Sequence, residues 1–164
     1  MNENNNYPNF ENLFNKRPHA VARVKGSKQY PNIEGEVWFY QTTYGVMVVT
    51  DIEGLPKSDN KCQSPIFAFH IHEGKSCTGN SEDPFADAGM HYNPNDCTHP
   101  YHAGDLPPIF GANGYAFSVV LTNRFKLDEV IDRTIIVHSS VDDFVTQPSG
   151  NSGTKIACGI IKML

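Results

Sequence analysis

The chain has 164 residues, 39% of them hydrophobic and 19% charged, with a formal net charge of −5. That length favours one domain with a core large enough to fold alone, and no run approaches the roughly 18 apolar residues of a membrane-spanning helix. No Lys/Arg-rich run stands out, which argues against a nucleic-acid or anionic-membrane partner; the same acidity means that an anionic substrate needs a local positive field to approach.

Residues 1–17 are Asn-rich and polar and read as a flexible arm, leaving residues 18–164 as a single domain. Residues 1–14 have neither a basic nor an apolar signal region, so a cytoplasmic location is expected, with a secreted or periplasmic mature form as the alternative. Pro18 opens the first structured segment, 20–25. Segments 34–40 and 45–50 are short, rich in β-branched and aromatic residues and bounded by turn residues, and they read as a hairpin. Segment 66–72 is the clearest strand, with Phe and Ile alternating against other residues. Segment 73–113 is a long stretch of Gly, Pro, Asn, Asp, Ser and His with no credible long strand; a loop of that length is functional or disordered, and its ligand-type residues point to function. Segments 115–121, 134–138 and 156–161 complete the strands, residues 128–132 make at most one helical turn, and 139–154 is a second loop. No 3.6-residue apolar period is sustained, so the chain is all-β, a sandwich or a barrel.

Six of the seven histidines lie between positions 70 and 138. His70 and His72 stand two apart on a strand and therefore share a face, where two imidazoles can chelate one ion. His138 ends another strand and can bring a third ring to the same end. The long loop supplies His91, His99, His102 and Asp105. Three imidazoles and a carboxylate suit zinc, and imidazole-only sets also suit copper. The competing reading is a polar loop whose histidines are merely solvated; His-x-His also occurs in cupin-like and hydrolytic metal enzymes. His19, beside Pro18, is structural or exposed. Four cysteines, Cys62, Cys77, Cys97 and Cys158, contain no C-x-x-C pair and allow three complete pairings, among which the residues alone do not choose.

Five blocks, in this order, resemble the signature blocks of copper/zinc superoxide dismutases: Phe69-His-Ile-His-Glu73, Gly89-Met-His-Tyr-Asn-Pro94, His102-Ala-Gly-Asp-Leu106, Arg133-Thr-Ile-Ile-Val-His138 and Gly150-Asn-Ser-Gly-Thr-Lys-Ile-Ala-Cys-Gly159. The resemblance runs over residues 20–162. It implies an eight-stranded Greek-key β-barrel, or immunoglobulin-like sandwich, with long metal-binding loops. It implies copper on His70, His72, His91 and His138, and zinc on His91, His99, His102 and Asp105, with His91 shared. Asp142 matches an aspartate linking a copper ligand to a zinc ligand, here His70 and His99. Cys77 and Cys158 match the family's disulfide. The implied activity is an antioxidant oxidoreductase converting two superoxide radicals to O2 and H2O2, with His91 and Lys155 as catalytic residues, superoxide as substrate and a homodimer as a possible assembly. The alternative is a non-catalytic protein of this fold that binds zinc or copper.

The chain departs from the family pattern in places. Lys155 stands where an arginine is usual, keeping the charge but losing the planar fork. Ser149 replaces a common threonine, the His99–His102 interval is short, and the 139–154 loop is trimmed. Cys62 and Cys97 have no family role and are read either as a second disulfide or as free thiols.

Overall fold

A computed structural model of the chain forms eight strands within residues 16–60, 62 and 65–164, the residues described. The expected arm, 1–17, lies outside these apart from Lys16 and Arg17. In chain order the strands are β1 (Ala20–Gly26), β2 (Glu34–Thr42), β3 (Gly45–Glu53), β4 (Ile66–His72), β5 (Asp105–Phe110), β6 (Ala116–Thr122), β7 (Thr134–His138) and β8 (Lys155–Met163). One helical turn, α1 (Leu127–Val130), sits between β6 and β7.

The expected hairpin is β2–β3, with Thr42 paired to Gly45. Its turn needs glycine: Gly45 has φ 134°, and a Cβ there would lie 2.2 Å from the Thr122 carbonyl oxygen. All strands belong to one antiparallel sheet in the order β5-β4-β7-β8-β1-β2-β3-β6. The two ends of that order, β5 and β6, come against each other, so the sheet is a nearly closed barrel. The consecutive β1-β2-β3 run and the crossovers into β4 and β7 give the Greek-key topology that the sequence blocks imply.

The barrel interior is filled from every strand by side chains such as Val24, Phe39, Val48, Phe69, Ile71, Ile135, Val137 and Ile161. Each contributes roughly 1.5–3 kcal/mol by leaving water. On β4 the inward set is Phe67, Phe69 and Ile71. The period of two therefore turns His70 and His72 to the outer face. On β7, Ile135 and Val137 point inward, which puts Ile136 and His138 on the same outer face.

Strand register then aligns that face. Asp105 of β5 pairs with His70, His70 with Ile136, and Ile136 with Cys158 of β8. One row across four strands thus carries a carboxylate, an imidazole, an apolar plug and a disulfide cysteine. Ile136 packs with Phe85, Ala88 and Cys158 under the loop that holds Cys77. The Cys77–Cys158 disulfide, with Cα atoms 5.7 Å apart, ties that loop to β8.

Two expectations change. The segment 73–113 is not all loop, because its last part is β5. Pro107 and Pro108 hide this strand in the sequence; they are tolerated because β5 is an edge of the hydrogen-bonded order and has only β4 as a ladder partner. Cys62 and Cys97 are both free thiols, so the second-disulfide alternative falls.

Candidate metal centre

The long loop is laced to the end of β4 by backbone hydrogen bonds. Glu73 N donates to Met90 O and Tyr92 N to Ile71 O, each at 2.8 Å, which sets His91 opposite His72. Gly104 slots between them, its N–H on Tyr92 O at 2.8 Å and its carbonyl accepting from Ile71 N at 2.9 Å. A Cβ on Gly104 would come within 2.2 Å of Ile71 O, so the turn from His102 to Asp105 closes only with glycine there.

Two groups of ligand atoms result, each with all members within 4.8 Å of one another: His70, His72, His91 and His138, and His91, His99, His102 and Asp105. All seven side chains are buried. His91 belongs to both. Its Nδ1 lies 2.7 Å from Asp105 Oδ1 and 3.4 Å from His102 Nδ1, while its Nε2 has no hydrogen-bond partner. The short His99–His102 interval still brings both rings into one group, with centroids 5.5 Å apart.

Asp142 joins the groups from behind. Its Oδ2 accepts from His70 Nε2 at 2.9 Å, and its Oδ1 from His99 Nε2 at 2.8 Å and from Phe144 N at 2.8 Å. Gly150 makes room for this carboxylate: a Cβ there would stand 2.0 Å from Asp142 Oδ1.

Those partners decide where the ring protons are. A carboxylate and a carbonyl only accept, so His70 and His99 carry hydrogen on Nε2, and His72, whose Nδ1 is 2.9 Å from Gly89 O, carries it on Nδ1. The remaining nitrogens are lone pairs aimed into the centre. His70 Nδ1 is buried with no hydrogen-bond partner. His99 Nδ1 stands 3.1 Å from Asp105 Oδ2, two electron-rich atoms without a proton between them. Such contacts are repulsive unless a cation lies among them, so the donor set fits metal ions.

Electrostatics keeps His70, His72 and His138 in the ligating form. Burial first, then the neighbouring imidazoles, holds His72 well below the usual histidine range and His138 down to about 3. Burial also lowers His70, against the pull of Asp142. For Asp105 burial pushes upward, but the hydrogen bond from His91 and the charges of His91, His102 and His99 outweigh it and hold the carboxyl low. Asp142 is held low in the same way, with burial opposed by His70, Phe144 N and His99.

His72, His91 and His138 are reached through a cavity of about 290 Å³ whose wall includes Lys155, Asp83 and Ser149. Larger hollows of about 390 and 800 Å³ lie elsewhere, with no imidazole in their walls, so the site is marked by its donors and not by size. Lys155 opens β8 opposite His138 and forms an ion pair with Asp83.

Every site residue expected from the sequence is thus gathered against one outer face of the barrel. His19 stays apart, its Nδ1 accepting from Gln41 N at 3.2 Å. Three supporting residues were not foreseen. Arg124 Nη1 donates to the carbonyls of Pro100, His102 and Asp105 at 2.8, 3.3 and 3.2 Å. Gln147 holds the His99 backbone at both ends, accepting from its N at 2.9 Å and donating to its O at 2.7 Å. Asp83 holds Lys155. None has a local motif, because each acts on a segment distant in sequence.

An antiparallel barrel bearing a two-lobed histidine centre with one shared imidazole defines a class of metal-dependent redox protein. The family model for copper/zinc superoxide dismutase (SODC) matches residues 33–161. The superoxide dismutase [Cu-Zn] of Legionella pneumophila is 34% identical over 136 residues, covering 78% of this chain and 77% of the relative. Superoxide dismutase [Cu-Zn] 2 of Aquifex aeolicus (strain VF5) is 30% identical over 158 residues, covering 85% and 87%. The structure of a Cu/Zn superoxide dismutase from Brucella abortus superposes with a TM-score of 0.72 at 27% identity, covering 86% of this chain and 98% of that one. The chain belongs to the copper/zinc superoxide dismutase family. It is an oxidoreductase of that kind, with copper and zinc as its metals. No helix among the described residues is long and apolar enough to cross a membrane.

Proposed function

We propose that the chain dismutates superoxide, with copper held by His70, His72, His91 and His138 and zinc held by His91, His99, His102 and Asp105. The all-imidazole group suits copper and the group with a carboxylate suits zinc. Bound copper supplies one-electron exchange, so that two superoxide radicals and two protons become O2 and H2O2. The protein's side chains do the rest. Asp142 fixes the ring orientation of His70 and His99 together. His91 lines the cavity, and its buried Nε2 has no hydrogen-bond partner. Lys155 supplies the positive charge of the cavity wall. The seven ligating side chains are buried, and the cavity leads to His72, His91 and His138.

The observation that carries this reading is the place of His91 in both ligand groups. The test is stopped-flow decay of superoxide on a sample whose copper and zinc contents are measured in parallel. Turnover well above that of free copper at equal metal is expected. Full occupancy with no such turnover would leave only a metal-binding role.

The Cys77–Cys158 disulfide favours an oxidising compartment over the cytoplasmic location expected from residues 1–14. For the homodimer, exposed Phe117, Val119 and Leu121 along β6 offer an apolar surface, and sedimentation velocity tests it.

A further inference from the structure

Lys155 is the sole Lys or Arg among the described residues lining the cavity that reaches His72, His91 and His138. Its side chain is 15% exposed, and its ammonium is spoken for by Asp83. Glu82 lines the same wall. One ammonium therefore faces two carboxylates, in a chain whose net charge is already −5.

Asp83 does not reach Lys155 by chance. Asn80 Oδ1 accepts from the N–H groups of Glu82 and Asp83, both at 2.9 Å, and Asn80 N donates to Asp83 O at 2.9 Å. Asp83 Oδ1 accepts from Phe85 N at 3.0 Å, leaving Oδ2 for the lysine. The turn is tethered to β8 by the Cys77–Cys158 disulfide, three residues beyond Lys155. Loop and strand are thus joined twice, once covalently and once by the ion pair.

We propose that Asp83 is a positioning residue that restrains the cavity's attraction for small anions: it holds the Lys155 ammonium in the wall and neutralises the field that ammonium would project. An incoming anion must compete with Asp83 for the same ammonium. The inference rests on the copper assignment above, but not on turnover.

Azide, a small monovalent anion, is the probe. Its dissociation constant is read from the visible spectrum of the copper- and zinc-loaded protein at low and high ionic strength. Asp83→Asn keeps the Oδ1 acceptor for Phe85 N and removes the charge. It should tighten azide binding by on the order of tenfold at low salt, within the range of electrostatic focusing, and the gain should shrink as salt screens it. In an Lys155→Gln background the same substitution should bring no comparable gain. Glu82→Gln, which leaves the ion pair intact, should change affinity less than Asp83→Asn. On the metal-free protein, the rate at which the Lys155 amine is acylated, followed by mass spectrometry, should rise in Asp83→Asn. Unchanged or weaker azide binding in Asp83→Asn, or an equal gain without Lys155, would overturn the proposal. Loss of turnover in the wild type with the azide results as expected would instead sink the dismutase reading and leave this one standing.

Discussion

The Nε2 atoms of His72 and His138 face each other across 3.2 Å at the floor of the cavity. His72 has already committed its ring hydrogen to Gly89 O, so its Nε2 is a lone pair. Either one proton or one cation must lie between the two rings. Both residues are buried and held in the neutral form that can ligate a metal ion. Metal loading should therefore stabilise the fold, by about 2.7 kcal/mol once free metal exceeds its dissociation constant a hundredfold. Calorimetry before and after chelation checks this as a fall in Tm on metal removal.

The metal-free protein should lose stability in acid. His138 is held at about 3 when folded, against about 6.5 in an unfolded chain. Between those values the unfolded state binds more protons, so stability falls as pH drops through that window. His70 and His72, also lowered, act with the same sign. The lowered Asp105 and Asp142 carboxyls add a further loss below about 4. Tm of the chelated protein should hold near pH 7.5 and decline from about 6.5 down to about 4; a flat profile would contradict the buried neutral imidazoles.

Asp142→Asn should weaken both metals at once. An amide has a single acceptor oxygen for two ring N–H donors, His70 Nε2 and His99 Nε2. One ring must turn or lose its bond, and losses of about 10–100-fold in affinity are usual for such partners. Competition titrations with chromophoric chelators, run separately for copper and zinc, report both shifts.

Arg124→Ala should act on one group only. The guanidinium ties three carbonyls of the segment that carries His102 and Asp105. Its loss should lower zinc affinity by about tenfold or more and spare the ligands on β4 and β7. Arg124→Lys, with a single ammonium in place of the fork, should restore only part. Equal losses for copper and zinc would assign Arg124 to general stability instead.

Replacing Cys77 and Cys158 together by serine opens a link that spans 81 residues. A cost of about 2–5 kcal/mol is expected, read as a lower urea midpoint. The segment with Phe85 and Ala88, packed on Ile136 beside the bridge, should gain hydrogen-exchange rate first.

Much of the architecture was legible in the residue pattern. The alternation of Phe67, Phe69 and Ile71 against His70 and His72 is local, and a period of two is enough to place both imidazoles on one face. β7 was read to the residue for the same reason, and the run of His91, His99, His102 and Asp105 announced a polar loop built for ligation. β5 escaped because Pro107 and Pro108 argue against a strand, and whether a strand stands at an edge is a property of the whole sheet.

By itself, then, the sequence determined the strand faces, the donor inventory and, through its ordered blocks, the family. Only the tertiary structure decided that Asp105, His70, Ile136 and Cys158 share one row, because register depends on which strands pair. It also decided that Cys62 and Cys97 stay free and that Arg124 holds the segment carrying His102 and Asp105. The charge of Lys155 shows the limit most clearly. Its presence is read from one letter, but its neutralisation comes from Asp83, 72 residues away, and electrostatic energy follows distance in space, not along the chain.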